Sequence, residues 1–562
     1  MICFFREYHS TFCFLNSIDM KKIVFSFALL WITLSIFASS RSYSEKLAIA
    51  KMVLQDLPSS ATRASFSELQ ILQENQALSV IGYSQCGYVV IANDNRFNAV
   101  IGYSAKAFQE NNPGLKWWLN TISEVMTSNQ TSASETNLAD SKEAIPQLMK
   151  SEWGQSAPFN NLCPMGASGR CPAGCVATAM AQVFYYHKYP VKAIGKGSCT
   201  YGGKTYAQDL SGIEYAWDKM LPKYDTPSGV GSEDVATLLY DCGLSIGMNY
   251  DDNGSGSYYF EACNAINEHF NMYATYYDRS YYTASDWMNI LYQQLSQKNP
   301  VVYTGVSKVD GVASGHCFVI DGYREDGLVH VNWGWDGQGD GYYDIALLNP
   351  VVGDSMSFSS MQDMVICQKN PIEVFSNIGM KGITMKVADD NHFTVIISSV
   401  TNLLPQDFNG ELAIIAEANG KKHILKSVSK KLVFGVNYSS LFEDNKCSVE
   451  DLEDGEYRIY AAAKSKDDLD WQVFRSSHGG RNSYILTKAN GSIKLVADRK
   501  AWSTGISLPI VGDSVSPITY VYDMNGRLVY QATTSDFSPS NIPAKGLFVI
   551  KQGDKYQKIV KQ

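Results

Sequence analysis

The sequence predicts an α+β protein of several domains with an all-β C-terminal third. Three observations predict it. Between about residues 145 and 368, stretches with helical spacing come first, from Cys175 and then at 235–243, 258–270 and 284–297. Strand-like runs follow at 300–306, 316–323, 328–333 and 342–347. Helices first and strands later indicate an α+β arrangement, since a βαβ fold would alternate them. From Pro371 onward the pattern is β only, with alternating or β-branched runs at 382–387, 392–400, 410–417, 421–428 and 456–464. Finally, 562 residues, 45% of them hydrophobic, supply enough apolar mass for about three or four domains.

The N-terminus is a targeting segment with a preface. Met20-Lys21-Lys22 leads into an apolar run over 23–37 and then Ala38-Ser39-Ser40. A basic start, an apolar middle and small residues at the exit make a secretory signal. The run is short for a membrane span. Residues 1–19 lack that logic, so residues 1–40 read as an upstream extension plus signal peptide, with Met20 as the real start. Export permits disulfides. Twelve cysteines are present, two of them (Cys3 and Cys13) in the preface. Cys163 with Cys171 is one possible local pair, and connectivity stays open.

A first module follows. Residues 45–57 have amphipathic helical spacing, 78–83, 87–92 and 99–103 read as strands, and 115–126 as a second helix. Residues 128–141 are rich in Ser, Thr, Asn and Asp and read as an exposed, cleavable linker. The net charge of −9, without any long Lys/Arg block, argues against a nucleic-acid partner.

The chemistry starts at Cys175. Gly174 precedes it and small residues (Ala177, Thr178, Ala179, Ala181) follow, so the thiol should sit at a helix N-terminus, where partial positive charge favours a thiolate. A thiol nucleophile needs an oriented base. His187 is about three turns down the same helix, too far from the sulfur. His269 lies in a helical stretch, and His392, His423 and His478 lie in the β region. His316 begins a strand after a glycine-containing loop at 309–315, a position that can face a cleft. It is therefore a better base than His330, which sits inside the next strand. An Asn carbonyl such as that of Asn332 can fix an imidazole tautomer, and Trp333 can shield that bond. Gln155, upstream in Trp153-Gly154-Gln155-Ser156-Ala157-Pro158-Phe159-Asn160, can join the backbone N–H of Cys175 as an oxyanion donor.

Four motifs occur in order: that Gln155 stretch, Gly174-Cys175-Val176-Ala177-Thr178-Ala179-Met180-Ala181-Gln182, Gly315-His316-Cys317-Phe318-Val319-Ile320-Asp321-Gly322, and His330-Val331-Asn332-Trp333-Gly334-Trp335. Together they resemble the streptopain-type cysteine peptidases, the C10 family. The resemblance implies a papain-like core at 145–370 with an inhibitory propeptide at 41–144. It implies Cys175 as nucleophile, His316 as general base and acid, Gln155 in the oxyanion hole, Asn332 and Trp333 supporting His316, and Trp335 and Gly315 lining the substrate site. It implies protein or peptide substrates, an apolar preference next to the residue before the cut, and no cofactor or metal. The stretch at 305–315, with Lys308 and Asp310, and the acidic run Asp336-Gly337-Gln338-Gly339-Asp340 depart from streptopain and are expected to border the cleft.

The spacing of strands over 371–500 suggests an immunoglobulin-like sandwich. Residues 501–562 form a last β module, with an Asn525-Gly526 turn between strands. Its Tyr522-Asp523-Met524-Asn525-Gly526-Arg527-Leu528-Val529 resembles the C-terminal sorting domain of type IX secretion, which implies a secretion machinery as partner and the surface or surroundings of a Gram-negative bacterium. Two other readings keep the same residues: a papain-like amidase or acyltransferase, and a non-catalytic surface adhesin. A metal site from Cys163, Cys171, Cys175 and His187 fits no paired-cysteine spacing.

Overall fold

The computed structural model describes residues 40–55, 57, 68–127, 142–309, 312–346, 360–370, 376–439, 441–442, 444–468, 470–477, 480–498, 518–523, 528–533, 542, 546–552 and 555–561. The signal segment, the 128–141 linker and the Asn525-Gly526 turn lie outside them. The described chain forms two compact units, one ending at Phe108 and one beginning at Gln109.

In the first unit, helix α1 (Tyr43–Gln55) packs on an antiparallel meander of β1 (Gln70–Glu74), β2 (Leu78–Tyr83), β3 (Cys86–Ala92) and β4 (Val100–Ser104). β1, Gln-Ile-Leu-Gln-Glu, is too polar to stand out as a strand in the sequence. Pairing with β2 through a bulge defines it. A buried lysine ties the layers together: Lys46 Nζ donates to Glu74 Oε1 (2.6 Å), Ser79 Oγ (2.9 Å) and Asn93 Oδ1 (3.1 Å). Three partners are what a buried ammonium requires.

The second unit opens with α2 (Pro113–Thr127). Pro113 suits the first helical position, and the Asn112 side chain caps it by accepting the N–H of Leu115 at 3.0 Å. Leu115, Trp118, Leu119, Ile122, Val125 and Met126 recur at helical spacing and are buried. Then come α3 (Cys175–His187), the hairpin β5 (Lys196–Tyr201) and β6 (Lys204–Asp209), α4 (Ser232–Ser245), α5 (Tyr259–His269), β7 (Tyr273–Asp278) and α6 (Ala284–Ser296). Five more strands complete the unit's main sheet: β8 (Val301–Val309), β9 (Val312–Tyr323), β10 (Val329–Asn332), β11 (Gly341–Tyr343) and β12 (Ser360–Gln368). They lie antiparallel in the order β11-β10-β9-β8-β12-β7.

One expectation is corrected here. Of the stretch 309–315, Val309 ends β8 and 312–315 begin β9, while Asp310 and Gly311 lie outside the described residues. β8 and β9 pair antiparallel, Lys308 with Ala313 and Val309 with Val312, so His316 lies inside a strand. A second correction concerns sulfur: all ten cysteines from Cys86 on are free thiols. Cys163 and Cys171 do not pair; Cys163 lies 3.8 Å from the Tyr250 hydroxyl and Cys171 3.7 Å from Asp252.

Central strand β9 separates two environments, because alternate side chains face opposite ways. Cys317 and Val319 join a core with Val176, Ala177 and Met180 of α3, against which Cys175 packs. His316 and Phe318 face the other side, toward Trp117 of α2 and Trp333. The main chain at Ile145 pairs with Tyr323, and Leu148 donates to the Asp321 carbonyl at 2.8 Å. The Asp321 carboxylate, wholly buried, takes the N–H of Met149 (2.7 Å) and bonds His330 Nδ1 (2.5 Å). Burial pulls the His330 pKa down, but the adjacent Asp321 charge outweighs it and raises the value. Beyond Gln368, the described residues of 378–497 form antiparallel sheets and one short parallel pairing around a main core, which includes Ile383, Phe393, Leu412, Ile414, Ile459 and Ala461, with a second small cluster of Ala413, Ile415, Tyr460 and Ala462.

Removing one partner of a buried pair strands the other. Asp321→Ala is expected to cost about 3–5 kcal/mol. Urea unfolding in a Cys175→Ala background measures it, and a midpoint unchanged from the parent contradicts this role.

Candidate active site

α3 begins at Cys175 because Gly174 turns the chain with φ 91°, in the left-handed region. A β-carbon at Gly174 would stand 2.5 Å from Met248 Cε, so glycine is required there. No side chain caps this helix, and Sγ of Cys175 lies against the main-chain N–H groups of Cys317, Val176 and Cys175 itself. The thiolate expected from the helix field is not the favoured form here. Burial pushes the thiol pKa up and exceeds the effect of those hydrogen bonds.

His316 is engaged with the main chain. Its Nε2 lies 2.7 Å from the main-chain carbonyl of Trp333, and that geometry makes Nε2 the donor. The ring is 4% exposed, and burial lowers its pKa to about 4. Neutral imidazole and neutral thiol therefore coexist near pH 7, and no hydrogen bond joins them among the described residues.

Helix α2 covers this histidine. A β-carbon on Gly114 would lie 2.6 Å from His316 Cδ2 and 2.6 Å from Trp333 Cε3. One turn on, Trp117 presses on Gly305, where a β-carbon would meet its ring at 2.2 Å. Gly305 is the cross-strand partner of His316. Trp118 donates from its indole to the Asp344 carbonyl (3.2 Å) and meets the Tyr343 ring at 4.9 Å. Asn112 Nδ2 donates to the Gln338 carbonyl at 2.6 Å. The sequence reading gave α2 its helical pattern but no site role. The Asn-Pro-Gly start, with glycine where a helix former is usual, is the signal that could have raised the question.

Asn332 is not the group that orients His316 in this arrangement. Its Nδ2 donates to the Ser151 carbonyl (2.7 Å) and Gln182 Oε1 (3.1 Å), while its Oδ1 accepts from Gln182 Nε2 (3.0 Å) and the Gly334 N–H (3.0 Å). Both donors and both lone pairs are used. Gln182, two turns beyond Cys175, thus ties α3 to the segment carrying Trp333. Trp333 itself is wholly buried, with its N–H on Asp340 (2.8 Å) and its indole N–H on the Gly339 carbonyl (3.1 Å). Asp340 is therefore internal, with burial pushing its pKa up to about 7. This part of the acidic run supports Trp333 and does not border a cleft. The Trp335 ring stacks beside His316, with centroids 6.3 Å apart.

Gln155 is buried, and its carbonyl accepts the Ala173 N–H at 2.9 Å, which pins it to the approach to Cys175. Gly315 is exposed, with Val306 and the Tyr259 hydroxyl crowding the place of a β-carbon at 2.9 and 3.3 Å.

Comparison with known proteins places these residues in context. The Peptidase C10 family model matches residues 153–343. The thiol protease/hemagglutinin PrtT of Porphyromonas gingivalis is 31% identical over 313 residues, which is 50% of this chain but 35% of that protein. The chain thus spans about a third of that relative's length. Streptopain of Streptococcus pyogenes is 29% identical over 321 residues, 51% of this chain and 79% of streptopain. Among solved structures, a fragment of Prevotella intermedia prointerpain A is 37% identical, covering 53% of this chain and 97% of the fragment, with a TM-score of 0.47.

Two outcomes are expected. Gly114→Val cannot fit against His316 and Trp333, so Cys175 in the intact chain should react faster with iodoacetamide. An unchanged rate speaks against α2 as a cover. For pH, a folded pKa of about 4 against an ordinary 6.5 means the folded state binds fewer protons between those values. Stability is present above 6.5 and is lost as pH falls through this window. The drop in urea midpoint from pH 7 to 4.5 should shrink in His316→Gln, compared in the Cys175→Ala background. An equal drop assigns the pH dependence to other groups.

Proposed function

We propose that this chain, which the Peptidase C10 family model matches over residues 153–343, is a member of that family and a secreted cysteine endopeptidase made as a latent precursor. Cys175 is its nucleophile and His316 its general base and acid. The observation that supports latency most directly is the seat of α2, with Gly114 against an imidazole that is bonded to the Trp333 carbonyl. While α2 stays, the sulfur has no base. Cutting between about residues 128 and 149 lets the leading segment, up to the cut, depart. The segment from Ile145 to Met149 is stitched to β9.

Once uncovered, His316 rotates toward Cys175 and takes its proton. The thiolate attacks the substrate carbonyl, and the oxyanion is met by the Cys175 N–H and the Gln155 amide. Protonated His316 then gives its proton to the departing amine, leaving a thioester on Cys175. Water attacks that thioester with His316 as base, releasing the acid and restoring the thiol. Trp335 and Gly315 flank the substrate backbone, and Trp333 keeps the imidazole dry from behind. Protein or peptide substrates are the natural partners of this chemistry, with the chain's own leading segment as inhibitor.

The basic–apolar–small start over 20–40 supports export. No helix among the described residues is long and apolar enough to cross a membrane. The strands Ile518–Asp523, Leu528–Thr533, Gly546–Gln552 and Lys555–Lys561 form one small sheet, which agrees with a compact sorting module at the C-terminus read by the secretion machinery.

Cys175→Ala is expected to abolish both peptide hydrolysis and self-processing, so that the secreted chain keeps its leading segment. Mass measurement of the secreted protein with and without the substitution checks this. Processing or hydrolysis at the parent rate in Cys175→Ala contradicts the assignment.

A further inference from the structure

Residues 248–260 run past the nucleophile. Met248 and the Ser255 carbonyl crowd Gly174, and the Tyr259 hydroxyl reaches Gly315. Tyr259 therefore belongs to the wall of the site. Its sequence neighbours Tyr258 and Phe260 stack on each other, with centroids 5.5 Å apart and planes 13° apart. Tyr258 is 70% exposed.

Phe260 continues the aromatic row outward to a residue of the all-β region. Its ring lies 6.0 Å from Phe434, and Tyr276 of β7 meets the same ring at 5.9 Å. Phe434 sits in a tight turn closed by the Val436 N–H on the Val433 carbonyl (3.3 Å). Val433 and Val436 flank it at 42% and 44% exposure. Tyr276 also donates to Asp363 (2.6 Å), which is paired across β8 and β9 through Thr304 to Cys317, whose N–H contacts the nucleophile. The all-β region, though not the turn itself, is held to the same body at a second place. Asn377 donates to the Tyr282 hydroxyl (2.9 Å), and the Arg475 guanidinium lies 4.6 Å from the Tyr282 ring centroid. Gly379 fits so closely on Tyr281 that a β-carbon would stand 2.5 Å from its ring. Phe434 thus joins the turn to Phe260 and Tyr276, and the contacts of Asn377, Gly379 and Arg475 attach the rest of the all-β region beside it.

We propose that Tyr258, Phe260 and the 433–436 turn form a secondary substrate subsite, which takes a large apolar or aromatic side chain of an extended polypeptide. That side chain belongs to a residue beyond those flanking the scissile bond. This rests on the peptidase reading above. Three features select this occupant. The surface is apolar and without charge in Val433-Phe434-Gly435-Val436. Its exposed groups are large hydrophobes grouped in one place. It is continuous, through Tyr259, with the wall of the catalytic site. The all-β region is then part of the substrate-recognition apparatus and not only a carried module.

The test compares the processed wild-type enzyme with Tyr258→Ser/Val433→Ser and, separately, with Phe434→Ala. Substrates are quenched dodecapeptides with Phe walked through the remote positions, and a chromogenic tripeptide. In the wild type, Phe at one remote position should lower KM by roughly fivefold or more, the return expected for one large apolar side chain in a half-exposed site. Both variants should remove that gain, so the ratio of dodecapeptide to tripeptide kcat/KM falls. Equal losses on both substrates, or no positional gain in the wild type, overturn the subsite. So does a change in self-association without a change in that ratio, which assigns the patch to a second copy of the chain. A wild type that cleaves the tripeptide but gains nothing from remote Phe refutes the subsite alone. One that cleaves neither substrate refutes the peptidase reading and the subsite with it.

Discussion

The bond from His316 Nε2 to the Trp333 carbonyl is the constraint on which the rest of the site depends. An imidazole has one N–H to give when neutral, and here it is given to the main chain. That choice keeps the histidine on the α2 side of β9, while Cys175 packs on the other. A single neutral hydrogen bond contributes only about 1 kcal/mol net. The lasting hold comes from the helix above it, through buried Leu115, Trp118 and Ile122 and the close fit of Gly114. Burial then reinforces the arrangement electrostatically, since neither an imidazolium nor a thiolate is favoured in these surroundings.

Much of this was legible in the sequence, and the reasons differ by residue. The helix start at Cys175 could be placed because a glycine before a run of small helix formers dictates it locally. The reason for preferring His316, a loop just before it, did not hold, since His316 lies inside β9. The role given to Asn332 was not safe, because an amide can serve any neighbour. Its actual partners, Gln182 and Ser151, are 150 and 181 residues away. The thiolate expected from the helix terminus failed for a related reason: the field of a helix end is local, whereas burial depends on the whole fold. The pairing of β8 with β9 was missed, since the glycines nearby read as loop. Strands β7 and β12 escaped notice because the sheet, and not their own composition, defines them.

Long-range ties join the segments that carry Cys175, His316 and Trp333. Gln182 and Asn332 exchange both amide bonds, which fixes the Trp333 segment to the nucleophile's helix. Asp340 holds the same segment from behind. Asp321 joins β9 to Met149 on one side and His330 on the other.

The most direct measurement is the titration of His316, followed by NMR with labelled histidine in the Cys175→Ala chain. It is recorded before and after the leading segment is cleaved in trans by active enzyme, and the resonance is assigned by its loss in His316→Gln. The account predicts that the imidazole of the intact chain stays neutral until about pH 4 and titrates near the ordinary histidine value of 6.5 once the segment has gone. An identical titration in both forms contradicts it.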